Sequence, residues 1–156
     1  MQRRTLLKAA APLLALASTT ATLPLAAFAA APMVEIWKDP NCGCCQDWVK
    51  HLNKNGFATR VHDEGNGPAR ERLGIPVKLG SCHTGRVGGY AIEGHVPARE
   101  MQRLLKEKPK AIGLAVPGMP IGSPGMDGPA YGDQRDAYDV LLVLADGSTR
   151  VFQSYR

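Results

Sequence analysis

Three cysteines fall within four residues, in the run Asp39-Pro40-Asn41-Cys42-Gly43-Cys44-Cys45, and a fourth, Cys82, is followed directly by His83. Thiolates gathered this densely serve one of two chemistries, disulfide exchange or the binding of a soft metal. The apolar run Met33 to Trp37 precedes the cluster, and Trp48, Val49 and Leu52 give the segment after it one apolar face. That pattern sets the cysteines at a strand-to-helix junction, with Cys42 near the helix N-terminus. There the helix dipole and free backbone N–H groups favour the thiolate, the form that attacks disulfides and binds metals.

For disulfide exchange, Cys42 and Cys45 form a CxxC pair, with Cys42 as nucleophile and Cys45 as resolving thiol. Cys44 has no part in that chemistry and would invite mispairing. For a metal, Cys42, Cys44, Cys45 and Cys82 supply thiolates, His95 and His83 supply imidazole nitrogens, and Met119 and Met126 are thioether candidates. Such a soft set suits Cu(I) or Zn(II), and the methionines tilt the choice toward copper over zinc. The spacing is not the paired CxxC…CxxC of a structural zinc site. Three thiolates so close together suit bridging among several Cu(I) ions. His51 is read as an exposed helical residue, His62 as an ordinary strand residue and Trp48 as core.

The ends and the composition set the context. Arg3, Arg4 and Lys8 form a positive leader start, Ala9 to Ala27 is apolar, and Ala27-Phe28-Ala29 is a small-x-small cleavage site. Residues 1–29 therefore read as an export signal cut after Ala29, with Arg3-Arg4-Thr5-Leu6-Leu7-Lys8 resembling the twin-arginine type. The expected location is the periplasm. Removing residues 1–29 takes away three of 19 basic residues and none of the 14 acidic ones, which leaves 16 against 14, a formal net charge of +2. With no run of closely spaced basic residues, the mature chain has no nucleic-acid surface, and it has no membrane role once the leader is gone. Residues 30–156 fit one domain. An even cysteine count in an exported protein ordinarily suggests disulfides. Here two structural bridges are disfavoured, because adjacent Cys44 and Cys45 pair only under strain and a bond inside the cluster closes a tiny loop.

Along the chain, a strand at Met33–Lys38 leads into the cysteines, and a helix runs from Gly43 to Asn55 and stops at Gly56. A second strand at Phe57–His62, a short helix at Ala69–Leu73, a third strand at Val77–Ser81 and a fourth at Val87–Ile92 follow. A helix then starts at Pro97 with Met101, Leu104 and Leu105 on one face. Pro117 to Asp133 is Gly- and Pro-rich and too long for a mere connector. Tyr138–Leu144 and Ser148–Gln153 around Ala145-Asp146-Gly147 form a hairpin. This order is that of an α/β, thioredoxin-like fold: a mixed four-stranded sheet with flanking helices, plus a C-terminal β-hairpin. Ile75-Pro76 stands where such proteins carry a cis-proline beside the dithiol. The Gly-Met-Pro and Gly-Ser-Pro-Gly-Met segments lack a phosphate-cradling pattern, so nucleotide binding is not expected.

Cys42-Gly43-Cys44-Cys45, Trp48, His51-Leu52, Gly56-Phe57, Ile75-Pro76, Ser81-Cys82-His83-Thr84, Gly89-Tyr90, Glu93-Gly94-His95-Val96-Pro97, Gly118-Met119-Pro120 and Gly122-Ser123-Pro124-Gly125-Met126 together resemble the CopG-type family of exported copper-resistance proteins. The resemblance covers about Val34 to Phe152. It implies a thioredoxin-like fold, a cysteine-bridged copper site and periplasmic copper tolerance, with copper redox chemistry as the enzymatic possibility. The partners to expect are copper ions, other periplasmic copper-handling proteins and an electron donor or acceptor. The rival expectation is a thiol–disulfide oxidoreductase working through Cys42 and Cys45.

Overall fold

The computed structural model describes residues 30–156, so the expected leader and its cut after Ala29 lie outside the described residues. Strand β1 (Met33–Lys38) runs into the cysteine turn and helix α1 (Gly43–Lys54) leaves it. Trp48 and Leu52 of α1 pack with Val34 and Ile36 of β1 in the main core. Gly56, at φ +84°, ends the helix, and β2 (Ala58–His62) returns parallel to β1. Helix α2 (Gly67–Arg72) follows, then β3 (His83–Val87), antiparallel to β1, and β4 (Tyr90–Glu93), antiparallel to β3. Helix α3 (Ala98–Glu107) leads to β5 (Gly113–Ala115), β6 (Tyr138–Val143) and β7 (Thr149–Tyr155). The strands form one mixed sheet of seven in the order β2-β1-β3-β4-β5-β6-β7.

Three local expectations are corrected. Val77–Leu79 is a 3-10 turn and not a strand. Pro76 fixes the chain direction and its carbonyl accepts the Leu79 N–H, which closes a turn before a ladder can form. The third strand therefore begins at His83. The fourth is Tyr90–Glu93, because Gly88 and Gly89, at φ +54° and +88°, make a two-residue hairpin turn and Val87 belongs to β3. The C-terminal hairpin is no separate addition: the unanticipated β5 pairs parallel with β4 and antiparallel with β6, so the sheet is continuous. Three residues rich in glycine and alanine give too short a signal to read as a strand. Ile75-Pro76, whose isomer the sequence alone leaves open, is trans; among the described residues no peptide bond is cis.

One face of the sheet carries the main core. Val34, Ile36, Ile92, Leu114, Val140 and Leu142 meet Trp48 and Leu52 of α1 and Met101 and Leu104 of α3 there. α3 also holds the hairpin, with the Arg103 guanidinium over the Phe152 ring at 3.6 Å and the Tyr155 hydroxyl donating to Glu100 Oε2 at 2.7 Å. On the other face a smaller cluster of Ile75, Leu79, Ala91, Ala115 and Val143 sits under the 3-10 turn.

Gly113 decides whether the hairpin joins the sheet. A Cβ there would lie 1.7 Å from the Ala91 carbonyl oxygen, across the β4–β5 pair. Gly113→Ala should therefore lower the urea midpoint by an amount worth about 3 kcal/mol or more. A midpoint within experimental error of the parent would show that β4 and β5 can separate freely.

Candidate metal centre

The site forms where the C-terminal end of β1 meets the N-terminal end of β3. Lys38 lies opposite His83 in that antiparallel pair, which brings Cys82 beside the turn that carries the other cysteines. Cys42 is the N-cap of α1 and is joined to Cys45 in a disulfide with Cα atoms 5.3 Å apart; Cys44 and Cys82 are free thiols. Cys44 Sγ stands 3.5 Å from Cys42 Sγ and 3.7 Å from Cys82 Sγ. All four sulfurs lie within 4.8 Å of one another.

Cys82 also belongs to a second cluster. Its sulfur is 3.2 Å from His95 Nε2 and 3.4 Å from His83 Nδ1. His95 Nδ1 lies 2.9 Å from the Pro124 carbonyl oxygen, which can only accept, so Nδ1 carries the proton and Nε2 turns its lone pair to Cys82. His83 is wholly buried, its ring 4.2 Å from Trp48 and 4.8 Å from His95. Its Nε2 has no hydrogen-bond partner. Burial holds both imidazoles below the ordinary histidine range, and His95 pushes His83 further down, so both are neutral, the form that binds metals. Burial, reinforced by the Cys44 thiol, raises the Cys82 thiol to about 12. Without a metal Cys82 therefore keeps its proton.

Two glycines let the chain close around these groups. At Gly94, φ +70°, a Cβ would strike the Val116 carbonyl oxygen at 2.4 Å and Ser81 Cβ at 2.7 Å. At Gly125, φ +87°, it would strike the Cys44 carbonyl oxygen at 2.6 Å. The long Gly/Pro loop thus lies directly on the first turn of α1, and Pro124 in it orients His95. A strand continuing through Cys82 would send its side chain and that of His83 to opposite faces. Because β3 starts only at His83, both reach the same cluster.

Six of the eight candidate ligands are brought together: Cys42, Cys44, Cys45, Cys82, His83 and His95. Met126 is buried, and its sulfur accepts the Tyr131 hydroxyl at 3.3 Å, while Met119 is half exposed. His51 stands apart from the cluster and caps α3, where its Nε2 accepts the Ala98 N–H at 3.1 Å. His62 stacks on Trp37 and bonds to Glu35. Sequence reasoning missed Glu93 and Arg70, which stand behind Cys82. The signal that could have found them was a carboxylate in the apolar strand Tyr90-Ala91-Ile92-Glu93, which needs a buried partner.

The family model described as "Protein of unknown function, DUF411" matches residues 79–126, a span with Cys82, His83, His95 and both loop methionines. No curated protein matches the chain. A solved structure of copper resistance protein CopG, its Form 2, is 45% identical, with a TM-score of 0.74 over 80% of this chain and 98% of that one. Form 1 of CopG is 46% identical, with a TM-score of 0.72 over 79% and 96%. The chain belongs to the CopG-type copper-resistance family. With CopG it shares a mixed α/β architecture over nearly the whole length of the CopG chains.

Burial lowers the His51 pKa from its ordinary value of 6.5, so the unfolded chain binds the extra proton more readily. The stability that neutral His51 lends is full above 6.5 and is lost as pH falls. His83 and His95 act with the same sign, and buried Glu93, whose pKa is raised, acts oppositely at lower pH. Urea midpoints of the metal-free protein should fall between about pH 7.5 and pH 6, and fall less in His51→Gln, whose amide oxygen can still accept from Ala98. Parallel pH profiles for the two proteins would exclude a titrating cap.

Proposed function

We propose that the protein is a periplasmic copper-binding protein of copper resistance that holds Cu(I) in a cysteine-lined, multinuclear site. The observation that carries this reading is Cys82 Sγ, shared between a four-sulfur cluster and a two-imidazole cluster. A thiolate can serve two metal ions at once, so Cys82 would be the ligand common to both groups of donors. His83 Nδ1 and His95 Nε2 both face Cys82 Sγ, and neutral imidazoles beside a thiol suit a soft metal. Likeness to CopG, a copper resistance protein, supports copper over zinc. Met119 and Met126 are assigned as outer thioether donors on the loop that lies over Cys44. The core is read as thioredoxin-like, supported by the strand order β2-β1-β3-β4 and by the CxxC pair at the β1–α1 junction.

In this reading Cys42 and Cys45 become ligands after an external dithiol reduces their disulfide, being itself oxidised to a disulfide and handing over the two electrons and two protons that give two thiols. Cys82 must shed a proton that burial makes hard to lose, so copper loading releases protons. Cys82, His83 and His95 would hold copper through mixed thiolate and imidazole donors, where it would supply one-electron redox chemistry toward a donor or acceptor outside the chain; this is the oxidoreductase form of the proposal. The Cys42–Cys45 bond favours one alternative, a thiol–disulfide oxidoreductase.

Elemental analysis of reduced residues 30–156 after Cu(I) loading tests the reading. More than one copper per chain is expected, with all four thiols shielded until a chelator is added. Cys82→Ser should lose at least half of that copper and Cys44→Ser should lower it, whereas under the oxidoreductase alternative Cys44→Ser leaves disulfide exchange intact. No retained copper beside a cycling Cys42–Cys45 bond would establish the oxidoreductase. Chelation should leave the fold intact, because the main core is apolar and contains none of the candidate ligands; unfolding on chelation would indicate a metal-stabilised scaffold instead.

A further inference from the structure

Helix α2 and the carboxylate of Glu93 contribute no donor to the cluster, yet both converge on the residue before Cys82. Glu93 is fully buried on β4. Its Oε1 accepts the Ser81 N–H at 2.7 Å and the Arg70 Nε–H at 2.9 Å, and its Oε2 accepts the Thr84 hydroxyl at 2.6 Å. The Ser81 carbonyl accepts from the Arg70 guanidinium at 2.5 Å and from the Asn66 side-chain amide at 3.1 Å. Both backbone polar groups of Ser81 are therefore tied to side chains. The Ser81 hydroxyl donates to the Gly118 carbonyl of the long loop.

Ser81 and Cys82 need such partners because they precede β3 and lie outside its ladder. Burying the Glu93–Arg70 pair costs desolvation that its attraction only partly offsets, so its presence points to conformational definition more than to stability. The Ser81–Cys82 link sets where Cys82 Sγ lies. A turn there would carry the sulfur away from Cys44 and His95 together.

We propose that Glu93, Arg70 and Asn66 form a clamp that positions Cys82, the shared residue of the metal site, with Arg70 supplied by α2 and Asn66 by the N-cap position that precedes it. The proposal rests on the metal-site reading above. Glu93 and Arg70 are positioning residues that act through Ser81.

The test compares reduced, metal-free parent, Arg70→Met, Arg70→Lys and Asn66→Ala. Alkylation of Cys82 is measured relative to Cys44 by peptide mass spectrometry, and the thiolate-to-copper absorption is recorded after Cu(I) loading. In Arg70→Met, with circular dichroism unchanged, Cys82 should alkylate about tenfold faster relative to Cys44, and the copper absorption should shift or weaken. Lysine restores one of the two guanidinium contacts and should recover part of the parent behaviour. An unchanged Cys82-to-Cys44 ratio in a folded Arg70→Met overturns the clamp. If Arg70→Met does not fold, Asn66→Ala decides: a smaller rise supports the clamp and no rise overturns it. A parent that takes up no copper while the variant ratio rises would sink the metal reading and leave the clamp standing.

Discussion

The contact on which the structure turns is that of Cys44 Sγ with Cys82 Sγ, 3.7 Å apart across 38 residues of chain. It requires β1 and β3 to be antiparallel neighbours with Lys38 opposite His83, so that one strand ends where the other begins. It also requires α1 to start at once after β1, with Cys42 as its N-cap. The helix is held there by Trp48 and Leu52 against Val34 and Ile36, and Trp48 in turn covers His83. The same apolar packing therefore fixes both halves of the cluster. The indole N–H of Trp48 donates to the Val96 carbonyl, tying α1 to the segment that carries His95.

The cluster sits in a place where charge is expensive. Burial keeps the imidazoles unprotonated and the Cys82 thiol protonated, and two of the remaining sulfurs are joined in a disulfide. Once protons leave and the disulfide is reduced, thiolates and imidazoles gathered in this way offer donors of the kind that soft metals take. Membership of the CopG-type family agrees with a site of this chemistry. Around the cluster, polar groups are matched to the backbone that frames it. Glu93 and Arg70 hold Ser81, Pro124 orients His95, and Gly94 and Gly125 admit close backbone approach where a side chain would collide.

Much of this was legible in the amino-acid sequence, because the signals are local. The cysteine turn between β1 and α1 follows from an apolar run, clustered thiols and an amphipathic segment. The i, i+3, i+4 stripe of α3 and the Asp146-Gly147 hairpin are equally short-range patterns. The donor types, and hence the preference for a soft metal, follow from residue chemistry alone. The tertiary structure decided what depends on long-range placement. Val77–Leu79 turned where a strand was expected, because the Pro76 carbonyl captured the Leu79 N–H; this set the start of β3 at His83 and let Cys82 and His83 face one cluster. β5 exists through pairing with β4 and β6, which no three-residue pattern encodes. His51 found its role only when α3 arrived to offer the Ala98 N–H. Residue types, then, determine which chemistry is available, whereas the shared position of Cys82 arises from sheet register and buried hydrogen bonds between segments far apart in the chain.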